Sequence, residues 1–268
     1  MSTWIFLRGL TRESRHWGEF PQLFQREMVD AHCGVTQVVV LDLPGNGSLH
    51  AMRSPLSVDA MADYCRAELV RRGVAPPYNI LAMSLGAMAV VAWAARHPRE
   101  VANCVLINTS MRSLSPFYQR LRPANYAALL KLALPFRSAG EQEEIILRIT
   151  SRRALTRPEW QADVLRSWIA YRQEFPVSRA NAVRQLLAAA SWRASGAKPD
   201  ARILILTSEH DGLVDTRCSR ALAAHWQTSV AVHPQAGHDI PLDDGAWVAQ
   251  QVSKWLADAP AMSRSTTA

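Results

Sequence analysis

Apolar residues along this chain fall into two kinds of run that alternate. Short runs rich in Val, Ile and Leu lie at Trp4–Arg8, Gln37–Leu43, Asn79–Met83, Val101–Asn108, Arg202–Thr207 and Ser229–His233. Few charges interrupt them, as expected for parallel strands covered on both faces. Between these runs, apolar and polar positions repeat at helical spacing, at about 16–31, 58–72, 85–97, 215–227 and 243–257. Local signals mark several boundaries: Ser57 followed by Asp59 starts a helix, Gly73 with Pro76-Pro77 ends it, and Pro98 stops the next one. Strict alternation of strand and helix predicts an α/β protein, with a mostly parallel, doubly wound sheet of about six strands and right-handed crossovers.

The stretch 111–199 breaks the alternation. It holds helical patterns at about 123–134, 140–150, 158–175 and 176–195, and no convincing strand. Residues 1–110 and 200–268 are therefore expected to form the core, with 111–199 inserted as a helical cap over the carboxyl ends of the strands, where open α/β sheets bind ligands. The small, polar residues 260–268 are expected to fray.

Composition narrows the class. The chain has 268 residues, 49% of them hydrophobic, which suits one α/β domain with an insertion and excludes disorder over most of its length. No apolar run reaches the roughly 18–20 residues needed to span a bilayer, and residues 2–7 read as a first strand and not as a signal segment. Cys33, Cys65, Cys104 and Cys218 form no C-x-x-C pair and read as free thiols of a reducing compartment. The expectation is a cytoplasmic protein with no membrane partner, no metal and no cofactor.

The net charge of +7 is localised. Residues 111–200 carry fifteen Lys and Arg against seven Asp and Glu, and the rest of the chain fifteen against sixteen. No zinc knuckle, aromatic RNA-binding strand or helix-turn-helix accompanies the excess, so a nucleic-acid partner is not expected. Two readings remain: a basic cap that receives an anionic substrate or an acidic carrier, or a solvated helical surface rich in arginine.

The chemistry centres on Ala82-Met83-Ser84-Leu85-Gly86, between an apolar run and a helical pattern. A strand, a one-residue turn and a helix expose the Ser84 hydroxyl beside backbone N–H groups that can hold a developing oxyanion. A serine nucleophile needs a base and a group that orients it. After the fifth strand comes Ser208-Glu209-His210-Asp211-Gly212, and after the sixth Gln235-Ala236-Gly237-His238-Asp239. Both loops belong to the edge of the sheet that carries Ser84, which makes Ser84, Asp211 and His238 a candidate catalytic set. Glu209 and Asp215 are alternatives for the acid, though Asp215 is better explained as a helix cap. Asp239 either tunes the base or bonds a loop.

These residues, with Arg8-Gly9-Leu10 and Asp42-Leu43-Pro44-Gly45-Asn46-Gly47, give a chain that resembles the α/β-hydrolase superfamily over nearly its whole length. Within it, the chain is similar to the small capped carboxylesterases that include the pimeloyl-carrier-protein methyl esterase of biotin synthesis. The resemblance implies an α/β-hydrolase fold and a serine hydrolase of carboxylic esters or thioesters, acting through an acyl-enzyme, with an acidic acyl carrier protein as a partner at the basic cap. It also implies that the amides of Leu10 and Leu85 form the oxyanion hole. This chain has Arg8 where the family usually has His. The fold hosts other reactions, so C–C cleavage or proton abstraction by the same triad, and a non-catalytic binding protein, stay open. The charged loop 11–17 lies beside the site. Arg12, Arg15 and Trp17 are candidate substrate contacts, against a plainer reading in which Arg–Glu pairs hold the loop and Trp17 anchors the first helix.

Overall fold

The computed structural model describes residues 2–34, 36–133 and 137–258. Six strands, β1 (Ser2–Leu7), β2 (Thr36–Leu41), β3 (Tyr78–Met83), β4 (Val101–Ile107), β5 (Arg202–Ser208) and β6 (Ser229–His233), form one sheet in the order β2-β1-β3-β4-β5-β6. Every neighbouring pair is parallel. The chain switches direction across the sheet between β1 and β3, and the loops that follow these two strands meet there.

Alternate side chains of each strand serve opposite cores, as the two-residue period of a strand demands. In β1, Ile5 and Leu7 pack with α2 (Val58–Arg71), α3 (Leu85–Arg96) and α9 (Thr216–Trp226). Trp4 and Phe6 pack on the other face with α1 (Phe20–Asp30) and α10 (Ile240–Ala257). Nearly every residue of α3 is buried, so it reads as apolar all round.

Between β4 and β5 the chain is helical: α4 (Phe117–Arg120), α5 (Tyr126–Ala133), α6 (Ala139–Thr150), α7 (Pro158–Glu174) and α8 (Arg179–Ser191). The whole is an α/β-hydrolase fold with a helical cap. Sequence periodicity misplaced several boundaries; the expected helix at 176–195 is shorter, Arg179–Ser191, and the strand expected to reach Leu43 ends at Leu41. The expected helix at 16–31 is split into a 3-10 turn, Ser14–Trp17, and α1, because Gly18 adopts φ 54° between them. The helix expected from 243 begins at Ile240 and is kinked at Asp244, since Asp239 accepts from the Leu242 amide as its cap. Three cysteines are buried and Cys33 is half-buried, all as free thiols. The tail 260–268 lies outside the described residues.

Candidate active site

The turn after β3 is held in a demanding shape. Ser84 adopts φ 50° and ψ −116°, a conformation that costs a non-glycine residue of order 1–3 kcal/mol and persists only where neighbours enforce it. Here the enforcement comes from β4: the Ser84 amide donates to the Ile107 carbonyl (2.9 Å), and the Thr109 hydroxyl donates to the Ser84 carbonyl (3.0 Å). Two glycines let the loop after β1 approach. A Cβ at Gly86 would collide with the Arg8 carbonyl, and one at Gly9 would lie 3.0 Å from the Ser84 Cβ. The half-buried Ser84 thus faces a backbone wall in which neither the Leu10 nor the Leu85 amide donates to another protein group among the described residues.

At the ends of β5 and β6, Asp211 and His238 are joined. Asp211 Oδ2 lies 2.7 Å from His238 Nδ1, while Oδ1 accepts from the amides of Leu213 (2.8 Å) and Val214 (2.9 Å). Both carboxylate oxygens are therefore committed, and the imidazole is fixed with its Nδ1 proton toward Asp211 and Nε2 free to accept. Burial disfavours the imidazolium, but Asp211 outweighs it and Asp239 adds to the effect; Arg8 opposes them, and the His238 pKa lies above its ordinary 6.5. Ser84 Oγ and His238 Nε2 do not share a direct hydrogen bond here, and such contacts commonly tighten only with substrate.

Four further polar groups that the sequence did not single out for this work shape the site. Asn108, at φ 45°, donates to the His238 carbonyl (2.7 Å), and its oxygen accepts from Thr207 and from the Ser208 amide (both 3.1 Å). It ties the ends of β4 and β5 to the histidine loop. The Ser208 hydroxyl donates to the carbonyls of Ala236 and Gly237. Asp243 accepts from the amides of Gly237 (2.7 Å) and Arg152 (2.8 Å) and from the Ser151 hydroxyl, which binds the cap to the same loop. Arg8, two residues before the Leu10 amide, pairs with Asp239, next to His238, through both guanidinium NH2 groups. It also lies over the Trp17 ring, 4.7 Å from its centroid. A buried arginine at a strand end requires an acid, but its partner lies 231 residues away.

The charged loop that follows Leu10 is engaged by the cap. Arg12 is buried against Glu143 of α6 (2.7 Å) and His16 (2.7 Å) and lies over Trp168. Glu143 also pairs with Arg172. Burial, with Arg12 and Arg8 adding to it, holds the His16 pKa well below 6.5, so the ring is neutral and accepts from Arg12. Arg15 bonds Glu13 and Glu174, and Trp17 packs against Phe6 and Phe20. Gln185 of α8 accepts from the Thr11 amide (2.9 Å) and donates to Asn46 and Ser54. Among the other sequence candidates, Asp215 caps α9, while Glu209 is exposed and paired with Arg220. No group of three or more potential metal ligands occurs among the described residues.

Residues 4–251 match the family model described as the alpha/beta hydrolase family, and the chain belongs to that family. No curated protein sequence matches it. Solved structures of the same fold include a thermophilic esterase from Thermogutta terrifontis (19% identity, TM-score 0.72, covering 96% of this chain and 90% of that one). An esterase from a Rhodococcus species is similar at 18% identity and TM-score 0.70, covering 97% and 91%. A Mycobacterium tuberculosis protein described as a non-heme bromoperoxidase is also similar at 18% identity and TM-score 0.70, covering 97% and 94%.

Proposed function

We propose that this protein is a serine hydrolase of carboxylic esters or thioesters, with Ser84 as nucleophile, His238 as base and Asp211 as its orienting acid. The observation that carries this reading is the buried Asp211–His238 pair at the sheet edge that also holds a strained, half-exposed Ser84 beside two uncommitted amides. His238 Nε2 takes the Ser84 proton as Oγ attacks the acyl carbon. Asp211 keeps the imidazole in the accepting tautomer and offsets its positive charge. The amides of Leu10 and Leu85 hold the tetrahedral oxyanion, each worth about 3 kcal/mol in comparable sites. His238 then protonates the leaving group, and a water activated by the same nitrogen releases the acid.

Labelling by a fluorophosphonate probe, together with hydrolysis of short p-nitrophenyl esters, tests this. Both are expected in the native protein and absent in Ser84→Ala; a native protein that neither labels nor hydrolyses the esters refutes it. The free thiols and the lack of a spanning helix among the described residues support a cytoplasmic setting.

The acyl group is proposed to arrive on an acidic carrier. In support, Arg148, Arg152 and Arg157 are exposed at the end of α6 and the turn after it, and none pairs with an acidic side chain among the described residues. Reversing these charges should raise KM for a carrier-bound ester and leave small esters unchanged; equal effects on both would sink the carrier proposal.

A further inference from the structure

Two stretches of the cap side of the chain contain no acidic residue. Residues 101–140 carry Arg112, Arg120, Arg122, Lys131 and Arg137, and residues 175–199 carry Arg179, Arg184, Arg193 and Lys198, with no Asp or Glu in either. The fold brings them together. Arg112 donates to the Ser191 carbonyl and Arg120 to those of Ala189 and Ala190, so the segment leading into α4 is fastened along the last turn of α8. A groove of about 510 Å³ runs between them, walled by Pro116, Phe117 and Leu187 with Arg112 at its side.

The surface around the groove is apolar as well as basic. Phe117 is 73% exposed and Leu187 53%, and Tyr118, Val183 and Leu186 are exposed on the same two helices. On α8, Val183, Leu186 and Leu187 share one face by helical spacing. The opposite face, Asn181, Gln185 and Ala188, is buried on the core. Helix α5 is mostly Leu and Ala, and none of its residues 126–132 is buried. Arg112, Lys131, Arg179 and Arg193 are exposed and make no ion pair among the described residues. In the intervening cap residues Glu143, Asp163 and Glu174 each pair with an arginine, while Arg148, Arg152 and Arg157 stay unpaired among the described residues but have no large exposed aromatic residue among them.

We propose that this face docks on an anionic lipid surface. Unpaired cations among exposed aromatic and aliphatic side chains match the two layers of such a surface, phosphate above and acyl chain below. An acidic protein is the competing occupant, and the vesicle experiment below separates the two. The docking is peripheral: among the described residues no helix is long and apolar enough to cross a membrane. It departs from the sequence expectation of no membrane partner, which rested on the missing apolar run, the missing signal segment and the free thiols. The proposal is independent of the hydrolase reading.

Co-sedimentation of the full chain with phosphatidylcholine vesicles, with and without phosphatidylglycerol, tests it. Binding is expected to be at least about tenfold stronger on the anionic vesicles and to fall with added salt. Phe117→Ser with Leu187→Ser, and separately Arg112→Gln with Arg193→Gln, should each weaken it about tenfold or more. Arg166→Gln on α7, Ser84→Ala and charge reversal at Arg148, Arg152 and Arg157 should not change it. Hydrogen exchange on the native protein with vesicles, expected to slow in α4 and α8, gives a readout that needs no variant. Equal binding to both vesicle types, no slowing in those helices, or binding untouched by the serine pair would overturn the proposal. So would a dimer abolished by the serine pair, or capture of an acidic carrier protein by this face with no vesicle binding.

Discussion

At the carboxyl edge of the sheet, charges are buried and matched one to one: Asp211 with His238 and Arg8 with Asp239. On the outer cap, between α4 and α8, charges of one sign stand in water beside apolar side chains. The two regions separate two uses of charge. A buried pair has a fixed geometry and is costly to break, because either partner left alone is an ion out of water. An exposed excess fixes no geometry, but it draws an oppositely charged partner and weakens with salt. On the two readings proposed above, reaction chemistry belongs to the first region and association to the second.

The contrast can be broken most severely at Ser84. Ser84→Ala should lower kcat for an ester by about five orders of magnitude, while the thermal midpoint stays within a few degrees. Asp211→Asn should cost about 10⁴-fold, since an amide there favours the wrong imidazole tautomer. In the native enzyme, kcat/KM should fall as pH drops through a value above 6.5, because the protonated His238 no longer accepts. An acid limb well below 6.5 would contradict the coupling to Asp211.

The Arg8–Asp239 pair sharpens the comparison through stability. Asp239→Asn should destabilise by about 3 kcal/mol, seen in urea melts, and an apolar replacement of both partners should recover much of it. It should also move the acid limb down, since Asp239 supports the His238 cation. The smallest effect is expected at Asp42. Burial, with a smaller contribution from the Glu13 charge, raises its pKa to about 6. The folded state therefore holds this proton more tightly than the unfolded one, and stability is lost as pH rises from about 4 through about 6. Asp42→Asn should raise Tm by a few degrees at pH 7.5 and leave it unchanged at pH 4; a uniform shift at both would refute the linkage.

The order of elements was legible because each strand is a compact apolar run and each helix has its own period. Ser84, Asp211 and His238 were legible as candidates because each follows a strand on one edge, so chain order alone groups them. The partners that fix them were not. Arg8 with Asp239, and Asn108 with the His238 carbonyl, join residues 231 and 130 apart, and local sequence does not encode which distant loops touch. Arg12 and Arg15 looked available in the sequence because Glu143 and Glu174, which hold them, lie in the cap. The acid-free stretches could be counted beforehand, but their meeting along one groove required the fold.

The distribution of the site along the chain has a consequence for synthesis. By the time β4 has left the ribosome, Ser84, Gly9 and the amides of Leu10 and Leu85 can all be in place. His238 and Asp239 emerge only near the end of translation. Until then Arg8 has no acid and, on the proposed mechanism, Ser84 has no base, so a nascent chain would carry its nucleophile in an inert form. Truncation before residue 238, by an early stop or a protease, yields a protein that holds the serine and cannot use it.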